Sequence, residues 1–167
     1  MSPRGADRKT AILDAAVARI VAHGFEGLRV RDVAQDVGIN NATLHHHYPT
    51  KAALVAAMLV RFKADFKVAG GVPDTGTLDA RLAAYVAARQ AQMRAAPDAF
   101  IVLNELLVRA ARDADVREAM TDMQATWQAY LVGICRAAGL GPEEAAARAD
   151  RCRRELMGVG LEVGLGP

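Results

Sequence analysis

The stretch from Arg29 to Lys51 constrains the fold of this chain most, because its spacing predicts two short helices joined by a tight turn. Val33 and Ala34 place apolar side chains on one face of the first helix. Gly38 follows at a point where the backbone needs a positive φ, which glycine adopts without a Cβ clash. The stretch therefore predicts a helix, a left-handed glycine and a second helix at a fixed angle.

The second helix begins after Asn40, whose side chain is expected to cap it by accepting from free N–H groups. Leu44 and Tyr48, four residues apart, give this helix one inward stripe. Helix–turn–helix spacing of this kind is the shape of a DNA-reading unit. It also occurs in all-α proteins that bind no nucleic acid, so the outward residues decide between the two interpretations.

The outward side of the second helix carries short polar groups and three consecutive histidines, and it carries no carboxylate. Such a surface suits phosphates and base edges. Arg29 and Arg31 before this helix, and Lys51 after it, add positive charge. The arginines could also be ordinary solvated side chains. His47 could likewise be partly buried within the domain. The predicted DNA contacts are Arg29, Arg31, Asn41, Ala42, Thr43, His45, His46, His47 and Lys51.

The three histidines do not predict a metal site. Consecutive helical residues point about 100° apart, so His45, His46 and His47 cannot converge on one ion, and helical zinc pairs need i, i+4 spacing. Glycine-rich phosphate loops, metal-ligand spacings and nucleophile motifs are also missing from the sequence. We therefore predict no metal, no cofactor and no enzymatic activity.

From Lys9 to about Leu59 the chain resembles the N-terminal domain of the TetR family of bacterial transcriptional repressors. The matching pieces are ILDAAVARIVAHGFEG, VRDVAQDVGI and NNATLHHHYPTKAAL. The resemblance covers roughly a third of the chain. It implies a DNA-binding head joined by a long helix to a ligand-binding body, a homodimer that binds double-stranded operator DNA, and release by a small-molecule effector.

Two features depart from the family's pattern. Arg29 stands where the family would place a Ser or Thr cap for the second helix of the head. Family members usually end with two long helices that pair with a second subunit, whereas here one helix, from about Pro142 to Val163, fits before the end of the sequence. The resemblance alone therefore leaves the dimer geometry open.

Composition supports an all-α chain, since alanine and leucine dominate and alternating strand-like runs are missing. Residues 1–51 hold seven Lys and Arg against five Asp and Glu, and the remainder is balanced. Electrostatic attraction to DNA is therefore expected in the first third of the chain.

We predict a helix-turn-helix head at 1–51, a linking helix at 52–72 and a ligand-binding and dimerisation bundle at 73–167.

Helix positions follow from the apolar spacing. Residues 1–6 are predicted to be a loose arm, with a first helix running from about Asp7 to His23. Gly70-Gly71-Val72-Pro73 is predicted to mark the end of the linking helix. The helix from about Asp98 to Ala111 carries apolar residues on more than one face, which predicts a buried helix.

A small ligand is expected to lie between helices of the C-terminal bundle. Methionine and aromatic residues at helical spacing are plain core more often than pocket, whereas Asn104 must find a polar partner within an apolar helix. The sequence does not identify the ligand. The candidate lining residues are Tyr85, Met93, Phe100, Leu103, Asn104, Met120, Gln124, Trp127 and Gln128.

The remaining features concern location and redox state. Cys135 and Cys152 lack motif spacing and are expected to be free and reduced, with a structural disulfide or a redox switch as the alternative. No apolar run approaches the ~20 residues of a membrane span, and no signal peptide is recognisable, so we expect a cytoplasmic protein. The resemblance implies a ligand-responsive repressor, and the alternative is a helical bundle that binds a small molecule or partner without reading DNA.

Overall fold

The computed structural model describes residues 3–68 and 72–165, and the regular structure in these ranges is helical. The predicted boundary at Gly70-Gly71 lies outside the described residues. The helices are α1 (Pro3–His23), α2 (Val30–Val37), α3 (Asn41–His47), α4 (Lys51–Val68), α5 (Leu78–Ala95), α6 (Pro97–Ala110), α7 (Ala114–Ala137) and α8 (Pro142–Leu165). A short 3₁₀ segment, Phe25–Gly27, connects α1 to α2 and is called the Phe25 turn below.

The chain divides into two compact units. The first combines residues 1–61 with residues 101–120, and the second combines residues 62–100 with residues 121–167. Most of α6 and the start of α7 therefore pack with the N-terminal helices. The functional division that we predict at residues 51 and 72 stays a prediction.

The core of the first unit forms where α1, α2 and α3 bring their apolar stripes together. Ile12 and Ile20 of α1, Val33 of α2 and Leu44 of α3 are essentially inaccessible to solvent. α1 packs on α2, and α2 packs on α3. Burial of these stripes supplies the main stabilisation of α2 and α3, which have eight and seven residues and are too short to form alone.

The second unit is organised around α5 and α8, which make extensive contact with each other. Small residues of α8, Ala145 and Ala149, are fully buried against larger apolar side chains of α5 and α7. Both cysteines are free and buried in this cluster, as expected from their spacing. The buried cluster comprises Val72, Leu82, Tyr85, Val86, Leu131, Cys135, Ala145, Ala149, Cys152 and Leu156.

Two predictions about the helices are wrong. Residues 3–6 are not a loose arm but extend α1 to Pro3, since proline suits the first helical position, where its missing N–H costs nothing. α6 is not buried all round, because Glu105 is exposed and Val108 is 74% exposed. Three of the apolar residues on which the prediction rests, Phe100, Val102 and Leu106, are nevertheless buried.

Candidate nucleic-acid interface

The turn between α2 and α3 has the predicted geometry. Gly38 adopts the left-handed conformation with φ 71° and ψ 33°, and its N–H donates to the carbonyl of Gln35 while that of Ile39 donates to Ala34. This bonding pattern satisfies the last carbonyls of α2 and redirects the chain. The glycine prediction is therefore confirmed.

Asn40 caps α3 as predicted. Its Oδ1 accepts from the backbone N–H of Thr43 at 2.8 Å, and Leu44 and Tyr48 point inward with 0% and 7% of their surface exposed. Pro49 follows, and Thr50 Oγ1 accepts from the N–H of Ala53 at 3.0 Å to cap α4. α3 is thereby held at both ends by local hydrogen bonds.

The outer surface of α3 is open to solvent. Asn41, Ala42, His45 and His46 are exposed, and Thr43 and His47 are half-buried. His45 Nδ1 lies 3.1 Å from the carbonyl oxygen of Pro49, so this nitrogen carries the hydrogen and donates. The ring nitrogen Nε2 is then left for an external partner.

His47 is the least accessible of the three histidines. Partial burial, the neighbouring His46 and the charges of Lys9 and Arg8 lower the pKa of its imidazole. The rings of His46 and His47 meet edge to face with centroids 5.5 Å apart. His47 therefore takes up a proton less readily than an ordinary histidine.

The two carboxylates of α2 are engaged by an arginine of α1, which the sequence did not single out. Arg19 donates to both oxygens of Asp36, at 2.6 and 2.7 Å, and its Nη1 lies 3.7 Å from Asp32. The Arg19 hydrogen bonds hold the pKa of Asp36 below its usual range. Arg31 Nε also lies 3.7 Å from Asp32 Oδ1, so two cations face the two carboxylates of α2.

The predicted cationic contacts occupy different environments. Arg29 and Arg31 are exposed, and Arg29 is the N-cap residue of α2 without a side-chain capping bond. Lys51, in contrast, donates from Nζ to the carbonyl oxygen of Phe25 at 2.9 Å and lies 3.8 Å from the centroid of that ring. Burial lowers the pKa of Lys51. Because of these two contacts, its ammonium is already engaged within the subunit.

The nine predicted ligand residues fall in both units. Leu103, Asn104 and Met120 belong to the first unit, and the other six belong to the second. Within the second unit, Trp127 Nε1 donates to the hydroxyl of Tyr85 at 2.7 Å, which joins two of the six directly. Tyr85, Met93 and Phe100 are buried, whereas Gln124, Trp127 and Gln128 are half-buried.

The Tyr85 ring is also covered by an arginine. Arg89 is 2% exposed, its Cζ lies 5.2 Å from the Tyr85 ring centroid, and its Nη1 donates to Gln92 Oε1 at 2.8 Å. Tyr130 stands 6.2 Å from Tyr85, centroid to centroid. A buried guanidinium within an aromatic cluster was not predicted, because its spacing on α5 resembles that of a surface charge.

A small cavity of about 220 Å³ lies between α5 and α8 in the second unit. Its floor is apolar and its rim carries two arginines and two carboxylates. None of the nine predicted ligand residues lines it. The lining residues are Asp79, Leu82, Ala83, Val86, Arg148, Arg151, Cys152 and Glu155.

Neither a metal-binding cluster nor a membrane-spanning helix occurs in the described parts of the chain. In residues 3–68 and 72–165, no three His, Cys, Asp or Glu side chains come together in a way that could hold a metal ion. Over those same ranges, no helix has the length and apolar character needed to cross a membrane.

Comparison with known proteins shows that the first helices resemble a family of bacterial regulators. Residues 12–58 match the family described as bacterial regulatory proteins, tetR family. A stretch of 79 residues is 33% identical to the HTH-type transcriptional repressor KstR2 of Rhodococcus jostii, covering 44% of this chain and 39% of that protein. The matched region thus spans well under half of that relative's length.

Solved structures extend the likeness to the whole fold. A transcriptional regulator from Pseudomonas aeruginosa PAO1 superposes with a TM-score of 0.82 at 26% identity, covering all of this chain and 83% of that one. A transcriptional regulator from Saccharomonospora viridis, solved with choline, superposes with a TM-score of 0.73 at 22% identity, covering 96% of this chain and 87% of that one.

An exposed, capped α3 that follows a left-handed glycine gives the first unit the geometry of a helix-turn-helix. The part of the chain that contains this motif is similar to the tetR family of bacterial regulatory proteins, and the match covers residues 12–58.

Proposed function

We propose that this protein is a ligand-responsive transcriptional repressor that binds operator DNA as a homodimer in the cytoplasm and is released by a small molecule. The observation that supports DNA binding best is the outer surface of α3. That surface is exposed and has no carboxylate of its own. The nearby carboxylates of α2 are paired with Arg19, so a phosphate backbone meets little repulsion there.

The proposed contacts divide by chemistry. Asn41, Thr43, His45 and His46 carry donors and acceptors for base edges and phosphates, and Ala42 offers a methyl contact for thymine. Arg29 and Arg31 supply charge for the backbone. His47 and Lys51 complete the set proposed from the sequence, and both are partly engaged inside the subunit.

A homodimer would place two α3 helices in successive major grooves, about 34–36 Å apart. The operator should then be an approximate inverted repeat with half-sites one helical turn apart. Sedimentation of the protein with and without duplex DNA tests the stoichiometry. One duplex bound by a single subunit would contradict the dimer.

The effector site is proposed in the second unit, around Tyr85 and Trp127, and Leu103, Asn104 and Met120 stay predictions from the sequence. The Saccharomonospora viridis regulator was solved with choline, but here the Arg89 guanidinium already covers the Tyr85 ring. A second cation on that ring would be repelled. We therefore propose a neutral or anionic effector, to be tested by thermal shift with choline against small carboxylic acids.

DNA binding is tested by selecting duplexes from a random-sequence pool on the wild-type protein. The double substitution Thr43→Ala with His45→Ala should abolish binding to the selected duplex. It keeps the α3 cap, because Asn40 accepts from the backbone of Thr43. His23→Ala, which removes the histidine outside α3, should bind as tightly as the wild type.

Two outcomes contradict this proposal. Either no duplex is enriched over the starting pool, or the double variant retains full affinity. In the latter case a helical bundle that binds a partner or small molecule without reading DNA becomes the better interpretation.

The role of Lys51 is tested by salt dependence. The slope of log affinity against log salt reports the number of neutralised phosphates, at about 0.9 per contact on B-form DNA. If Lys51 moves to a phosphate, Lys51→Met should reduce the slope by about 0.9. An unchanged slope assigns Lys51 to the interior contact with Phe25 alone and removes it from the proposed set.

A further inference from the structure

The Phe25 turn lies between the end of α1 at His23 and the start of α2 at Val30. Gly24 precedes it with φ 66°, and the N–H groups of Gly27 and Leu28 donate to the carbonyls of Gly24 and Phe25. A side chain on Gly27 would place its Cβ 2.3 Å from that of His23. The turn therefore packs tightly on the end of α1, and its position influences where α2 begins.

Two side chains of α6 hold this turn. Glu105 Oε2 accepts from the backbone N–H of Phe25 at 3.2 Å, and its carboxylate lies against Gly24. Arg109, four residues later and on the same helix face, places its Cζ 4.9 Å from the centroid of the Phe25 ring. Its Nη1 also donates to Glu26 Oε1 at 2.5 Å.

The same turn receives a third contact from the start of α4. Lys51 is the first residue of that helix, and its ammonium binds the Phe25 carbonyl and ring. α3 ends at His47, four residues before Lys51. The Phe25 turn thus connects α6 to the segments on both sides of α3, namely the start of α2 and the start of α4.

Arg109 extends this connection to α7. Its Nε donates to Asp113 Oδ2 at 3.2 Å, and Asp113 Oδ1 accepts from the N–H of Val116 in the first turn of α7. The Arg109 and backbone hydrogen bonds hold the pKa of Asp113 below its usual range. Arg109 is therefore anchored at its helix end while it contacts the turn.

From these contacts we propose that Glu105 and Arg109 are positioning residues for the DNA-reading surface. They act through the Phe25 turn and do not themselves touch DNA. The inference rests on the proposed DNA binding. It adds that two residues of α6, which lie some 80 positions from the turn in sequence, set the affinity of α3 for a duplex.

The test separates an effect of net charge on DNA affinity from an effect of the position of the Phe25 turn. Removal of a carboxylate raises the net charge and should by itself strengthen attraction to DNA. We expect the opposite for Glu105→Ala: affinity for the selected duplex falls about tenfold, within the usual range of coupling between sites. The salt slope should stay unchanged, because no phosphate contact is lost.

Matched variants separate the two effects. Glu105→Gln retains an oxygen that accepts from Phe25 and should restore most of the affinity. Glu118→Ala removes an exposed carboxylate of α7 in the same unit and should bind DNA at least as tightly as the wild type. If Glu105→Ala does not fold, Glu105→Asp keeps the charge, withdraws the carboxylate by one methylene, and should also weaken binding.

Affinity is measured by fluorescence anisotropy and folding by far-UV circular dichroism on the same samples. Wild-type affinity in folded Glu105→Ala, or in Glu105→Asp where the alanine variant does not fold, overturns the inference while leaving the proposed function intact. Failure of the wild type itself to bind any duplex overturns the proposed function instead.

Discussion

Substitution of Gly38 by alanine should destabilise the protein, whereas the same substitution at Gly133 should stabilise it. Gly38 has φ 71°, where an L-residue costs about 1–2 kcal/mol. An added Cβ would meet nothing within 4 Å, so no steric clash adds to this cost. The whole effect at Gly38 is therefore backbone strain.

Gly133 lies within α7, is exposed, and also has open space around an added Cβ. Alanine there should gain about 0.5–1 kcal/mol, because glycine loses more backbone entropy on folding. A change of 1 kcal/mol moves the thermal midpoint by about 2–4 °C in a chain of this size. Thermal melts followed by far-UV circular dichroism should thus move in opposite directions, and a stabilising effect of Gly38→Ala would refute the assignment of a left-handed turn.

Three further predictions follow from single contacts. Arg29→Ser supplies the missing cap of α2 and should raise the free energy of unfolding by about 1 kcal/mol in urea titrations, while it weakens DNA binding. Arg19 lowers the pKa of Asp36 in the folded state. The stability that the Asp36 carboxylate contributes is therefore present above its unfolded-state pKa and is lost as the pH falls through its folded-state pKa. Between about pH 6 and about pH 3, the urea midpoint of Asp36→Asn should change less than that of the wild type. Tyr85→Phe removes the acceptor of Trp127 Nε1 and should cost about 1 kcal/mol, with a shifted emission from this single tryptophan; unchanged stability and emission would argue against the hydrogen bond.

Local features of the head could be predicted from the sequence because they depend on neighbouring residues. A glycine after an apolar helix face predicts the left-handed turn, and Asn40 predicts a cap whose partner lies three residues away. The inward stripe of Leu44 and Tyr48 follows from helical periodicity alone. The structure confirms these expectations.

Contacts between distant segments could not be predicted in this way. Arg19 and Asp36 are separated by 17 positions, and Arg109 and Glu26 by 83. Periodicity identifies the face of a helix but not the helix that packs on it. The pairing of the α2 carboxylates and the contacts of α6 with the Phe25 turn therefore emerged from the structure only.

The buried Arg89 illustrates a second limit of pattern reasoning. Arginine in a helix such as α5 is usually solvated, and nothing in its spacing signals that it stacks on Tyr85. Lys51 is a comparable case, since its position after Pro49-Thr50 favoured an outward charge whereas its ammonium binds Phe25. Side-chain direction at helix ends depends on tertiary neighbours.

The central claim is that the outer surface of α3 enters the groove of a duplex, and amide chemical-shift mapping with the selected DNA tests it most directly. We expect the largest shifts at Asn41–His47, smaller ones at Arg29 and Arg31, and none above background in α8. Shifts confined to α5–α8, with α3 unchanged at saturating DNA, would contradict the account.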